Sequence, residues 1–248
     1  MLVLLGLAAL CVGFLIGTTS VGGVLLIPAL MFFGGLGTHE AMATALFSFL
    51  FTGIIATYLF QRFGSFDWEV TLPVAAGSFI SSYAGAYAGS LASASQLDTL
   101  LATIIIASSL YSLYPTGRGS VSGRLGRKGN GFLLLGIGLF TGFFCGMTGA
   151  GGGIISVPVM LIFGYAALPT IAAGQVLQIL ISLSGSASNY ANDFINFSMV
   201  WWVTLCELAG VLIGVRVAHA IPAAGLKKST TCISLAIGLI IGVRAFLL

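Results

Sequence analysis

Gly142-Phe143-Phe144-Cys145-Gly146-Met147-Thr148-Gly149-Ala150-Gly151-Gly152-Gly153, with Pro158 beyond it, decides how this 248-residue chain is read. It has an earlier counterpart in Gly13-Phe14-Leu15-Ile16-Gly17-Thr18-Thr19-Ser20-Val21-Gly22-Gly23, with Pro28 beyond. The offset is 129 through the glycines and 130 at the proline, so the first copy is one residue shorter there. The matching continues outward. Ser48 falls on Gln178 and Thr52 on Ser182 at offset 130, while Ser81 and Gly85 fall on Gly210 and Gly214 at offset 129. The chain therefore reads as two homologous units, 1–114 and 131–248. Between them, 115–130 is a polar, Gly-rich linker holding Arg118, Arg124, Arg127 and Lys128, without apolar periodicity.

The composition around these motifs excludes a soluble particle. The chain is 58% hydrophobic and 6% charged, with a mean hydropathy of +1.12. A soluble domain carries about 25% charged residues to keep its surface hydrated. The net charge of +3 is too small and scattered for a nucleic-acid partner. Cys11, Cys145, Cys206 and Cys232 lie in apolar stretches without a CxxC pair, and read as small buried hydrophobes. Residues 1–16 could pass for a leader, but no Lys or Arg precedes them and they have a partner later in the chain. They are read as part of the fold.

A bilayer core about 30 Å thick takes about 20 apolar helical residues. Stretches near 41–61, 70–92, 97–114, 169–191, 198–220 and 229–248 predict six crossings. The segments 1–36 and 131–164 are too short for two crossings and long for one, and the glycines interrupt each near its centre. Each is either a broken single span or a re-entrant hairpin of two half-helices. A single span would make the two units parallel; a hairpin leaves three crossings per unit and inverts them. With the basic linker in the cytoplasm, both schemes place Arg62 inside and His39, Glu40 and Asp98 outside. Only the hairpin scheme also places Lys227 and Lys228 inside and Asp193 outside. Arg216 can snorkel to the same face. Trp68, Trp201 and Trp202, at span starts, read as interfacial anchors, and Arg244 as interfacial. The expectation is an all-α polytopic membrane protein of the cytoplasmic membrane. Its two inverted repeats each hold a Gly-rich broken or re-entrant helix pair plus three transmembrane helices.

Inverted repeats with discontinuous helices place a site near the midplane, and the residues here point to an anion. The second half-helices begin near Gly23 and Gly152, where free N–H groups and about half a positive charge face the tip. Gly22, Gly149, Gly151 and Gly153 let a ligand approach backbone, and Thr18, Thr19, Ser20 and Thr148 offer hydroxyls. Tight helix packing through glycine is the plainer alternative. Gln175, Gln178, Ser182, Ser186 and Asn189 share one helix face, as do Thr44, Ser48 and Thr52. A polar stripe at depth should face protein or a water path; interhelical bonding alone is the alternative. The amide NH2 groups of Gln175 and Gln178 suit an oxyanion. Glu207, near mid-depth, is a candidate proton carrier, though pairing with a polar group elsewhere would also account for it. Arg216 lies on the opposite helix face.

GFFCGMTGAGGGIISVP (142–158) closely resembles the glycine signature of the sulfite exporter family of TauE/SafE type, the toluene-sulfonate uptake permeases. The resemblance covers the whole chain. The first copy departs from the signature, with Ser20 and Val24 where glycine stands and a shortened approach to Pro28. The resemblance implies transport of sulfite, sulfoacetate or other organosulfonates.

Among rival classes, an intramembrane hydrolase would need a nucleophile and base at depth, yet His39 and His219 lie at span ends. No acidic metal motif, axial His pair or dithiol stands out, so no enzyme and no cofactor is expected. A passive anion channel would use the same tips without coupling. A purely structural protein would leave the polar stripe unexplained. The expected partners are a small anion and the lipid bilayer; a homodimer is compatible with the sequence.

Overall fold

A computed structural model describes residues 1–91, 127–190 and 194–247, with scattered positions between 93 and 110. Asp98, Asp193, Arg118, Arg124 and most of the stretch 97–114 lie outside the described residues. Most of those described are helical. The helices are α1 (Leu2–Thr19), α2 (Leu26–Gly34, preceded by a 3-10 turn over Gly22–Leu25), α3 (Thr38–Arg62) and α4 (Trp68–Leu91). After the linker come α5 (Arg127–Thr148), α6 (Gly153–Ile162), α7 (Ala167–Tyr190), α8 (Phe197–Ala220) and α9 (Ala223–Leu247).

Five helices among the described residues are long and apolar enough to cross a membrane: Leu2–Thr19, His39–Arg62, Gly131–Thr148, Ala167–Ala187 and Phe197–Ala220. The chain is a multi-pass membrane protein. Stretches 41–61, 169–191 and 198–220 fall on three of the five. The stretch 70–92 falls on α4, which is not among them; Glu69 and a run of Ser, Gly and Tyr lower its hydropathy. The stretch 229–248 falls on α9, where Thr231–Ile240 is a shorter apolar segment. The described part of helix α5 begins at Arg127, ahead of the apolar run from Phe132.

The Gly-rich segments differ from a pair of half-helices. Each has a long first arm and a short return: α1 and α5 have 18 and 22 residues, α2 and α6 only 9 and 10. At 1.5 Å per residue, α1 is about 27 Å long and α2 about 13 Å. The chain reverses between them. Gly6 of α1 lies against Trp202 and Cys206, Gly13 against Glu207 and Gly17 against Val211, so α1 and α8 are parallel. Phe47 packs on Phe197, Phe51 on Trp201, and Phe60 and Phe63 on His219, so α3 also runs with α8. Two parallel helices, α1 and α3, require a return between them; Gly34 at the end of α2 duly lies against Met199, near the start of α8.

Glycine makes these contacts possible. A Cβ on Gly13 would stand 2.0 Å from the Glu207 carbonyl oxygen, and one on Gly214 2.3 Å from that of Phe14. Helices α5 and α4 meet in the same way and are also parallel: a Cβ on Gly142 would stand 2.3 Å from the Ser78 carbonyl oxygen and one on Gly85 2.1 Å from that of Phe143. The two contacts correspond position by position, since 13 and 142, 207 and 78, 214 and 85, 14 and 143 are each 129 apart. Helices α3 and α7 cross antiparallel in the centre: Gly53 lies against Gln175 and Ile179, and Gly185 against Leu46.

The polarity is that of a protein in lipid. Leu4, Leu7, Phe79, Ile80, Phe132, Leu205 and Ile213 point outward, whereas Thr44, Ser48, Thr52, Ser78, Gln175, Ser182 and Glu207 are all 0% exposed. With no water at depth, polar groups gain by turning toward protein. The cysteines follow the same logic and correct the reading of four buried thiols. Only Cys145 is fully buried; Cys206 is half-buried, and Cys11 and Cys232 face outward, where hydrocarbon accepts an apolar thiol. Trp68, Trp201 and Trp202 are exposed near their helix starts.

Candidate functional site: two Gly-rich tips between α3 and α7

The two tips form by the same local chemistry. Thr19 ends α1 by donating its hydroxyl to the Leu15 carbonyl (2.9 Å), and Thr148 ends α5 by donating to that of Phe144 (2.9 Å). The Thr18 hydroxyl is likewise turned back onto Phe14. The next residue then turns left-handed: Ser20 at φ 61° and Gly149 at φ 66°. Their amides close the helices on the Ile16 and Cys145 carbonyls, each at 2.9 Å. The second tip adds another left-handed glycine, Gly151 at φ 82°. The first tip, one residue shorter, passes instead through the 3-10 turn over Gly22–Leu25. That turn rises about 2.0 Å per residue rather than 1.5 Å, so fewer residues cover the gap.

The tips touch each other at the middle of α3 and α7. A Cβ on Gly153 would fall 1.9 Å from the Ser20 carbonyl oxygen, and one on Gly174 2.6 Å from Ser20 Oγ. The Phe49 ring lies under both tips, 2.9 Å from a Cβ on Gly23 and 3.6 Å from one on Gly151. A Cβ on Gly152 would stand 2.6 Å from the Gln178 backbone nitrogen. Ser20 is buried and its hydroxyl has no hydrogen-bond partner among the described residues.

The glutamines tie this assembly together. Gln175 Nε2 donates to the Ile16 carbonyl at 2.8 Å, fastening α7 to the last turn of α1. Gln178 Nε2 donates to Thr52 Oγ1 at 3.0 Å and to the Phe49 carbonyl at 3.3 Å, fastening α7 to α3. Each amide NH2 already serves a protein acceptor, so its role at the tips includes holding backbone in place. Gln178 Oε1 is the atom facing the second tip, 3.8 Å from a Cβ on Gly151.

Other residues of the polar stripes stand away from the tips. Thr44 accepts from the Asn196 amide at 3.0 Å, and the Asn196 side chain donates to Glu40 at 2.8 Å; this ties the start of α3 to α8. Ser182 and Ser186 continue the α7 face beyond Gln178, both buried with hydroxyls unpartnered among the described residues. Ser48 donates to the Ala45 carbonyl at 2.8 Å and faces Glu207. Both Glu207 carboxylate oxygens are buried without a hydrogen-bond partner among the described residues. Arg216 is exposed, so α8 does not pair its own charges.

Two participants escaped the sequence reading. Asn196 could have been found, since Asn just before an apolar run is an N-cap signal; its side chain accepts from the Met199 amide. Phe49 carries no such signal, as one of many phenylalanines. No group of three or more His, Cys, Asp or Glu able to hold a metal occurs among the described residues.

The sequence profile described as Sulfite exporter TauE/SafE matches residues 4–241, and with them every tip residue described above. The chain belongs to the sulfite exporter TauE/SafE family. Two relatives are similar along much of their length. The probable membrane transporter protein YunE of Bacillus subtilis is 27% identical over 243 residues, covering 89% of this chain and 87% of that one. A probable membrane transporter protein of Methanocaldococcus jannaschii is 26% identical over 188 residues, covering 71% and 69%. No solved structure matches significantly. Family and relatives indicate a membrane transporter rather than an enzyme. In this TauE/SafE chain the signature glycines have two uses. Gly13, Gly17, Gly142 and Gly146 bring helix backbones together, while Gly149, Gly151, Gly152 and Gly153 shape the tip.

Proposed function

We propose that the chain is a secondary transporter of small sulfur-containing anions, sulfite, sulfoacetate or other organosulfonates, across the cytoplasmic membrane. The anion is held where the two tips meet. The observation carrying this reading is the buried, unpartnered Ser20 hydroxyl at the junction of both tips, beside the start of α6. A helix start presents free N–H groups and partial positive charge, which suits an oxyanion without a buried Lys or Arg. Gly22, Gly23, Thr148, Gly149, Gly151, Gly152 and Gly153 frame the anion, and Gln175 and Gln178 hold the frame. Thr44 and Ser48 belong outside it. Glu207 is the candidate proton carrier; its burial without a partner favours a coupled transporter over a passive channel.

The two units, 1–114 and 131–248, are inverted repeats with the linker cytoplasmic. The antiparallel course of α3 and α7, which are counterparts in sequence, supports this. So does the position-by-position match of α1 with α8 to α5 with α4. The α1–α2 and α5–α6 segments are then re-entrant hairpins with unequal arms.

The test is ligand-dependent stability of the detergent-purified protein with sulfite, sulfoacetate, taurine and sulfate. A ligand of the native state raises apparent stability by mass action. Selective stabilisation by sulfite or a sulfonate supports the reading; folded protein indifferent to all four removes the substrate class.

A further inference from the structure

We propose that Glu207 and the anion site are coupled through Ser48, Thr52 and Gln178, so that each anion binds together with one proton. This rests on the anion reading above and names its regulation.

The residues between the two groups lie on three helices, α3, α7 and α8, and Ser48 and Thr52 each donate to a carbonyl of their own helix, Ala45 and Phe49. Gln178 on α7 faces the second tip through Oε1 and donates through Nε2 to Thr52 Oγ1 at 3.0 Å. Thr52 and Ser48 are one turn apart on α3, both 0% exposed, and Ser48 faces the Glu207 carboxyl on α8. Thr204, three residues before Glu207 and buried with a hydroxyl unpartnered among the described residues, extends the line toward the start of α8.

Ser48 can distinguish the two states of the carboxyl. Its single hydrogen is now given to the Ala45 carbonyl, which leaves the oxygen free to accept from a protonated Glu207. An ionised Glu207 can only accept, so the Ser48 hydroxyl must swing away from Ala45 to meet it. Helices α1 and α3 pack against α8, and neither offers a cation at this level. The backbone of α1 approaches Glu207 at Gly13, and its side-chain thiol Cys11 faces outward. On α3, His39 and Glu40 lie at the start and Tyr58 and Arg62 near the end, away from Ser48. On α8 itself Cys206 is adjacent, Arg216 is exposed and His219 bonds Val215 and Ser65. With no cation among the described residues to offset it, an ionised carboxylate would oppose an anion at the tips. A proton from the aqueous phase, added to the carboxylate oxygen and released to water after transport, removes that opposition. One proton then offsets one of the negative charges that the anion brings, and the rest of its charge crosses uncompensated.

Calorimetry of sulfoacetate binding to the purified chain, in buffer pairs of different ionisation enthalpy across the neutral range, counts the protons directly. The charge of sulfoacetate is constant there. We expect about one proton taken up per anion at the alkaline end, with affinity falling about tenfold per pH unit. Glu207→Gln should bind without proton uptake and with a flat pH profile. Ser48→Ala should keep the affinity of the acid end but move the pH midpoint upward, since it removes the donor that can stabilise the ionised carboxylate. A packing role alone would not move that midpoint. Wild-type binding that is independent of pH, or that requires sodium, overturns the coupling and leaves the anion site standing. Folded wild-type protein that binds neither sulfoacetate nor sulfite at any pH overturns both. The wild-type proton count decides even if a variant fails to fold.

Discussion

A Cβ on Gly153 would stand 1.9 Å from the carbonyl oxygen of Ser20, so the two tips are in backbone contact. No side chain can fit at that position without parting them. Gly153→Ala should therefore abolish transport and lower stability, overpacking costing about 1–3 kcal/mol. Gly152→Val should do the same, its Cβ meeting the Gln178 nitrogen at 2.6 Å. Both variants should still reach the membrane fraction, because the apolar helices are unchanged. Normal transport by either would show that the tips are not a close-fitted site.

Ser20 makes the opposite trade. Its φ of 61° is a conformation that costs an L-residue about 1–2 kcal/mol and glycine nothing. Ser20→Gly should raise thermal stability by about 2 °C or more while weakening anion binding through loss of the hydroxyl. Melting and binding curves on the same preparation check both signs at once.

Gln178→Ala removes the bridge from α7 to Thr52 and the Phe49 carbonyl. Anion affinity should fall about tenfold, within the roughly 1–3 kcal/mol that leaving the buried partners of a lost hydrogen bond unsatisfied costs. Unchanged affinity would place Gln178 outside the binding assembly.

The helix-pairing glycines can be separated from the tips. Gly13→Ala places its methyl 2.0 Å from the Glu207 carbonyl oxygen and should destabilise the α1–α8 pair. Gly136→Ala on exposed α5 surface meets nothing within 4 Å and should be neutral or stabilise by up to about 1 kcal/mol through helix propensity. Comparing their melting temperatures in one detergent tests the distinction.

Much of the candidate site was legible because glycine and intramembrane polar residues are conspicuous in an apolar chain. The Gly149–Gly153 tip, the Gln175–Gln178 face and Glu207 all stood out for that reason. Unequal hairpin arms were not legible, since apolar content shows where a helix can lie but not where it turns back. That turn is set by Ser20, a serine in a left-handed conformation that sequence preference assigns to glycine. Nor could periodicity show that Thr44 is taken up by Asn196, or that the glutamine NH2 groups are given to Ile16 and Phe49. Those pairings join residues more than a hundred positions apart.

The central claim is coupled anion transport, and flux through the purified chain in liposomes tests it most directly. With an imposed pH gradient and no initial anion gradient, labelled sulfite or sulfoacetate should accumulate on the alkaline side, moving with protons. Glu207→Gln should abolish that accumulation. Anion flux that only follows its own electrochemical gradient, whatever the pH difference, would contradict the account and identify a passive channel.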